Sequence, residues 1–162
     1  MKKTVIALAA ALGIGAFATE ASAQTGLYVG AAAATQGRAL EDAQWGGTAV
    51  AGYRVNRFVA VEALADFTAQ TETQRGGQAV FANVVAGFPV GSITPYALVG
   101  AGYGFNALAG SDNSPQALWN AGVGVAYNLS ANWQVDARYR RIEAFSGDVT
   151  ADRVTVGLNY RF

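Results

Sequence analysis

Apolar and polar residues alternate along most of this chain, in eight separate runs: 26–34, 44–55, 58–68, 78–90, 93–105, 117–129, 133–141 and 153–162. Successive side chains of a β-strand point to opposite faces, so period-two alternation predicts strands that are apolar on one face and polar on the other. The last run is the clearest. Val154, Val156, Leu158, Tyr160 and Phe162 form one set, and Thr155, Gly157, Asn159 and Arg161 form the other. The first run is the weakest, because Ala31 to Ala34 would also suit a short helical cap. The flanking Gly26 and Gly30 favour a strand there.

Connection lengths alternate too. Tight turns follow the second, fourth and sixth runs, around Asn56, Gly91-Ser92 and Ser130-Ala131-Asn132. Stretches of roughly ten residues rich in Gln, Thr, Gly, Asp and Ser follow the odd-numbered runs. Seven connections keep this order, which predicts an up-and-down meander with short turns at one end and longer loops at the other.

The first 23 residues are expected to lie outside the fold. Lys2 and Lys3 precede an Ala-rich apolar stretch over 5–17, and Ala21-Ser22-Ala23 is a small-residue cleavage site. That is the layout of a secretory signal peptide, with a mature chain starting at Gln24. The mature part has nine Arg, no Lys and ten acidic residues, so no basic surface invites nucleic acid. There is no Cys and no His. Disulfides and thiolate chemistry are excluded, as are Ser-His-Asp triads and the commonest metal ligand. No metal, cofactor or enzymatic activity is expected.

Composition changes the picture more than charge does. Hydrophobic residues make up 52 % of the chain, yet no mature segment runs 18 residues without a polar interruption. An exported apolar chain without helical spans has one membrane solution, a closed all-β barrel. Most of the eight runs are near the 9–11 residues a tilted strand needs to cross a bilayer. Parity then sends Trp45, Tyr53, Phe67, Phe88, Tyr103, Trp119, Tyr127, Trp133, Tyr160 and Phe162 outward, in two groups at the strand ends. Two aromatic girdles at the membrane interfaces are expected. No charge falls mid-strand on the outward face, where an Arg or Lys costs about 2–4 kcal/mol.

The inward set carries the charges. Arg54, Glu62, Asp66, Asp136, Arg138 and Arg140 share the lumen, with inward glycines where strands bend or crowd. Strands three and seven face each other across an eight-stranded ring. Counting from the turns sets Glu62 and Arg138 at equal height, with Arg140 and Asp136 one pleat away as alternative partners. Arg141 shares the outward parity at the long-loop end, where a cation would meet outer-leaflet phosphates.

Tyr28-Val29-Gly30, Gly52-Tyr53-Arg54-Val55, Val61-Glu62, Pro95-Tyr96, Gly100-Ala101-Gly102-Tyr103-Gly104 and Asn159-Tyr160-Arg161-Phe162 resemble the small eight-stranded outer-membrane barrels. That group includes the OmpA membrane domain, OmpX-like proteins and the opacity porin-like proteins. The resemblance spans the mature chain and implies an eight-stranded antiparallel transmembrane barrel in a Gram-negative outer membrane, with both termini periplasmic. It also implies that Val154, Val156, Leu158, Tyr160 and Phe162 form the signal read by the barrel-assembly machinery. The peptidoglycan-binding domain that follows the barrel in OmpA has no counterpart before Phe162, so a cell-wall tether is not expected.

Other patterns weigh less. Gly100-Ala101-Gly102-Tyr103-Gly104 lacks the helix a nucleotide loop needs. Asn128-Leu129-Ser130 is a sequon without meaning in a bacterial exported protein. Glu62 and Asp66 are paired carboxylates more simply read as salt-bridged lumen fillers. The leading expectation is a monomeric envelope-integrity barrel that meets lipid, lipopolysaccharide and external partners, its lumen closed by the Arg–carboxylate network. A narrow solute pore is the alternative, and a soluble lipocalin-like carrier would require an apolar interior.

Overall fold

The structure is a computed structural model, and it describes residues 25–37, 44–69, 76–106, 115–147 and 150–162. The proposed signal peptide and, in the four longer connections, residues 38–43, 70–75, 107–114 and 148–149 lie outside the described residues. Eight strands follow in chain order: β1 (Gly26–Gly37), β2 (Gln44–Arg54), β3 (Val59–Thr68), β4 (Gly77–Gly87), β5 (Ile93–Asn106), β6 (Gln116–Asn128), β7 (Trp133–Ala144) and β8 (Thr150–Arg161). Each pairs antiparallel with its sequence neighbours, and β1 pairs with β8, so the sheet closes into a barrel without edges.

Alternation does what it predicts. Along β3, exposed Val61, Ala63, Ala65 and Phe67 alternate with buried Ala60, Glu62, Leu64, Asp66 and Thr68. The outer wall is an apolar band with Trp45, Phe67 and Tyr103 exposed toward the long-connection end. Tyr53, Phe88, Tyr127, Trp133 and Phe162 are exposed toward the short-turn end. Trp133, Tyr160 and Phe162 meet edge to face in series, with ring centroids 5.1 Å apart at each step.

The short turns close on their own side chains. Asn56 Oδ1 accepts from the backbone N–H of Phe58 (2.8 Å) and Val59 (2.9 Å). Ser130 Oγ likewise accepts from Asn132 and Trp133. Gly91 has φ +59°, a left-handed conformation that suits the two-residue link between Val90 and Ile93.

Four boundaries differ from expectation by three residues, and the others agree within one. β4 stops at Gly87, not at 90, because Pro89 has no N–H to continue the ladder. β7 and β8 run three residues further at the long-connection end, where Glu143 pairs with Thr150. There the outward positions Arg141, Glu143 and Asp152 are charged, which hid the alternation. β1 also runs three residues past Ala34, and its Ala-rich part is strand throughout.

The interior is more apolar than the polar parity list suggested. Val50, Leu64, Phe81, Val85, Leu98, Leu118 and Ile142 are buried inside and belong to one cluster. They fill space between the charged groups of the lumen.

Candidate functional site: the filled lumen

Two ionic layers cross the barrel, and register determines which side chains enter each. In the layer nearer the short turns, Tyr28 of β1, Gly52 of β2 and Glu62 of β3 sit side by side in the ladder. A methyl group at Gly52 would overlap the Tyr28 ring. The glycine is therefore a seat: Tyr28 lies across it and donates its hydroxyl to Glu62 Oε1 at 2.6 Å. The same device recurs on the far wall, where Tyr96 of β5, Gly124 of β6 and Arg138 of β7 are laddered neighbours. Tyr96 lies over Gly124 and donates to Asp136 Oδ2 at 2.6 Å.

Arg138 joins the two walls. Its Nη1 donates to Glu62 Oε2 at 2.8 Å, its Nη2 reaches Glu62 Oε1 at 3.4 Å, and its Nε donates to Asp136 Oδ1 at 2.7 Å. The guanidinium carbon lies 5.5 Å from the Tyr96 ring centroid. All the side chains of this layer come from odd-numbered strands, with a glycine of β2 between Tyr28 and Glu62 and one of β6 between Tyr96 and Arg138. Arg is suited to the position because its planar fork serves two carboxylates at once.

The second layer, nearer the long connections, centres on Asp66. Arg140 Nη2 donates to Asp66 Oδ1 at 2.8 Å and Oδ2 at 2.7 Å, Thr48 Oγ1 donates to Oδ1 at 2.6 Å, and Arg153 Nε lies 3.3 Å from Oδ1. Both arginines are fully buried. Arg153 spends its remaining donors on Gln36 Oε1, the hydroxyls of Thr48 and Thr68, and the carbonyls of Gly47 and Phe67. Arg140 runs over Gly122 and carries its guanidinium to within 5.6 Å of the Phe81 ring centroid. Between the layers, Asn83 lies over Gly100 and accepts at Oδ1 from Asn120 Nδ2 at 2.9 Å.

Of the six charged lumen residues read from sequence, the structure brings five into these layers. Glu62 meets Arg138, Asp136 shares that same arginine, and Arg140 turns to Asp66 rather than exchanging with Asp136. Arg54 is the exception. It is half-buried, one inward position nearer the short turns than Gly52, and has no ion pair among the described residues. Glu62 has its oxygens engaged by Tyr28 and Arg138, which leaves Arg54 outside the network.

Sequence reasoning missed Arg153, Tyr28 and Tyr96. Arg153 has the parity of Thr155 and Asn159, but it opened the expected strand and was not carried into the lumen list. Tyr28 and Tyr96 share the parity of inward Gly30 and Leu98, and their laddered glycines were the available signal.

Outside the barrel wall, Arg141 is exposed and its Nε donates to Glu143 Oε1 at 2.7 Å. Beside it, Tyr139 donates its hydroxyl to Asp152 Oδ1 at 2.6 Å. Val154, Val156, Leu158 and Phe162 are exposed along β8, while Tyr160 is half-buried between Trp133 and Phe162.

A family model described as outer membrane protein beta-barrel domain matches residues 4–162. No curated protein matches the chain. Among solved structures, the N-terminal β-barrel domain of Pseudomonas aeruginosa OprF is 16% identical, with a TM-score of 0.64 over 86% of this chain and 100% of that one. Neisserial surface protein A is 19% identical, with a TM-score of 0.61 over 89% of this chain and 100% of that one. Ail, the attachment invasion locus protein of Yersinia pestis, in complex with the heparin analogue sucrose octasulfate, is 22% identical, with a TM-score of 0.53 over 86% and 98%. At such identities the likeness is one of fold.

Proposed function

The chain belongs to the family of outer membrane protein β-barrel domains, and from that premise we propose that it is a non-enzymatic structural barrel of the outer membrane whose lumen is closed. The observation that carries this is the double ionic layer. Arg138 and Arg140 each reach across the lumen to a carboxylate of β3, at 2.8 and 2.7 Å. Side chains filling a small barrel at that density leave a plug in place of a pathway.

The short turns and both chain ends face the periplasm in this proposal, and the long connections face outward. By sequence, that outer end carries Glu41, Asp42, Glu72, Asp112, Glu143, Asp148 and Asp152 against Arg38, Arg75 and Arg141. An acidic surface does not suit a sulfated polyanion such as the one bound by Ail, so that binding is not carried over. Arg141 is the proposed contact to lipopolysaccharide phosphate: Glu143 engages its Nε, and its other nitrogens remain available on an exposed side chain. The residues Val154, Val156, Leu158, Tyr160 and Phe162 are the proposed signal for the assembly machinery.

The test is single-channel recording in planar bilayers. Wild-type protein is expected to show no steady conductance, and Glu62→Ala to introduce one. A wild type that is already a steady open channel, unaffected by Glu62→Ala, would replace this proposal with a narrow pore.

A further inference from the structure

The charges of this barrel are sorted along its axis. The two ionic layers hold Arg138, Arg140 and Arg153 against Glu62, Asp66 and Asp136, three of each sign. Beyond them, the short-turn end holds Arg54, Arg57 and Arg161 and no further Asp or Glu in strands or turns. None of these three cations forms an ion pair among the described residues.

A cavity of about 40 Å³ opens at this mouth, lined by Arg54, Arg57, Tyr28, Asn159, Glu62 and Arg138 among others. At about 30 Å³ per water that is room for one or two waters, or for an oxygen of an oxyanion seated at the opening. Glu62 and Asp136 both line it and share the single positive charge of Arg138, so two carboxylates to one guanidinium leave one negative charge there against the arginines of the mouth. Arg57 rests its guanidinium on the Phe58 ring, 4.4 Å from the centroid, which holds the cation while leaving its N–H groups free. Arg161 stands beside Tyr28 in the ladder and follows Asn159 on the inward face. Its Nη2 donates to the carbonyls of Ser130 and Ala131, and its Nε is buried with no partner among protein atoms.

We infer that the short-turn mouth is an oxyanion site of phosphate chemistry, with Arg54 and Arg57 as its ligands and Arg161 supplying field from the third side. Water satisfies N–H donors but not the excess positive charge of Arg54 and Arg57 in the cavity lining and of Arg161 beyond it. A phosphate does both, because guanidinium N–H groups pair with its oxygens in two-pronged, charge-assisted hydrogen bonds. Two sources share that chemistry: free phosphate and the headgroup of a phospholipid at the membrane rim, where Phe58 and Phe88 stack 6.0 Å apart.

The experiment titrates the folded full barrel in neutral detergent with inorganic phosphate by calorimetry, against chloride at equal ionic strength. Saturable binding of phosphate but not chloride is expected. Arg54→Gln and Arg57→Gln should each weaken it about tenfold, as expected for loss of one charge-assisted contact. Arg141→Gln, at the opposite end, should leave it unchanged. A second arm repeats the titration in nanodiscs of phosphatidylcholine with and without phosphatidylglycerol. Competition by phosphatidylglycerol supports the site and assigns it to a headgroup, whereas undiminished binding supports it and assigns free phosphate. Wild-type binding no different from chloride, or binding that survives both substitutions, overturns the inference. None of these results depends on whether the lumen conducts, so the closed-barrel proposal stands or falls separately.

Discussion

Glu62→Ala is the perturbation with the most consequences. It removes the acceptor of the Tyr28 hydroxyl and two of the three carboxylate contacts of Arg138, leaving that arginine with Asp136 alone. Breaking a buried ion pair by deleting one partner costs about 3–5 kcal/mol. An orphaned buried hydroxyl adds about 1–3 kcal/mol. Two features reduce the total. Asp136 still neutralises Arg138, and Glu62 lines the cavity at the short-turn mouth, so water can reach the freed groups. We expect a net loss of about 3 kcal/mol, nearer the lower end of the ion-pair range. The assay is equilibrium urea unfolding of the barrel in lipid vesicles, followed by the mobility difference between unboiled and boiled samples on gels. Glu62→Gln keeps the size and acceptor oxygen and should lose less than Glu62→Ala. The double variant Glu62→Ala, Arg138→Met removes both charges and should be less destabilised than the sum of the single changes. A loss below about 1 kcal/mol for Glu62→Ala, with strictly additive singles, would refute the claim that Glu62 and Arg138 hold the walls together.

Three further changes test separate parts of the molecule. Gly124→Val places side-chain atoms where the Tyr96 ring lies and should destabilise the barrel by about 1–3 kcal/mol, whereas Gly91→Asn keeps a left-handed turn in open space and should be near neutral; equal unfolding curves for the two would undo the idea of glycine seats. Phe162→Asp should lower the amount of barrel recovered from outer-membrane fractions without changing export to the periplasm, and normal recovery would remove Phe162 from the assembly signal. Arg141→Glu should lower the melting temperature more in lipopolysaccharide-containing membranes than in neutral detergent, and an equal shift in both would leave Arg141 with only its contact to Glu143.

Much of this was legible in the sequence because a barrel has one variable per residue: in or out. Parity alone places Glu62, Asp66, Asp136, Arg138 and Arg140 inside, and counting from two short turns sets Glu62 level with Arg138. Parity does not say how far a side chain reaches. Arg138 and Arg140 are two residues apart on the same face, yet one is shared between Asp136 and Glu62 while the other passes Gly122 to reach Asp66. Both stand beside a glycine of β6, but Tyr96 fills the space over Gly124 while the space over Gly122 is left to Arg140, a property of register. Arg153 shows a second limit. At a strand end the alternation gives way to outward Asp152 and Arg141, and a charge beside other charges reads as loop. The apolar interior was missed for a third reason: Leu64, Phe81 and Leu118 look the same on either face, and only closure of the ring distinguishes lumen from lipid.

The sorting of charge bears on whether a lumen of this size can conduct. Selective pores present rings of one sign, which draw counter-ions in and pass them between weak sites. Here one layer sets two carboxylates against one arginine and the other two arginines against one carboxylate, so an ion of either sign is repelled at one of the two. It must also displace a charge-assisted hydrogen bond of 2.7–2.8 Å to advance. Arg54, Arg57 and Arg161 stand outside those layers, at a mouth whose cavity is backed by Glu62, Asp136 and Arg138. In the proposed closed barrel a cation surplus placed there would concentrate anions at the entrance, and the carboxylates Glu62 and Asp136 behind it would oppose their passage. If the closed-barrel and oxyanion proposals both hold, the same residues account for a mouth that collects phosphate and a barrel that does not let it through. If Glu62→Ala opens a path, the current it carries should favour anions over cations, because Arg138 then joins the arginines of the mouth with Asp136 as its only counter-charge. A cation-selective current from that variant would break the link between the two halves of this account.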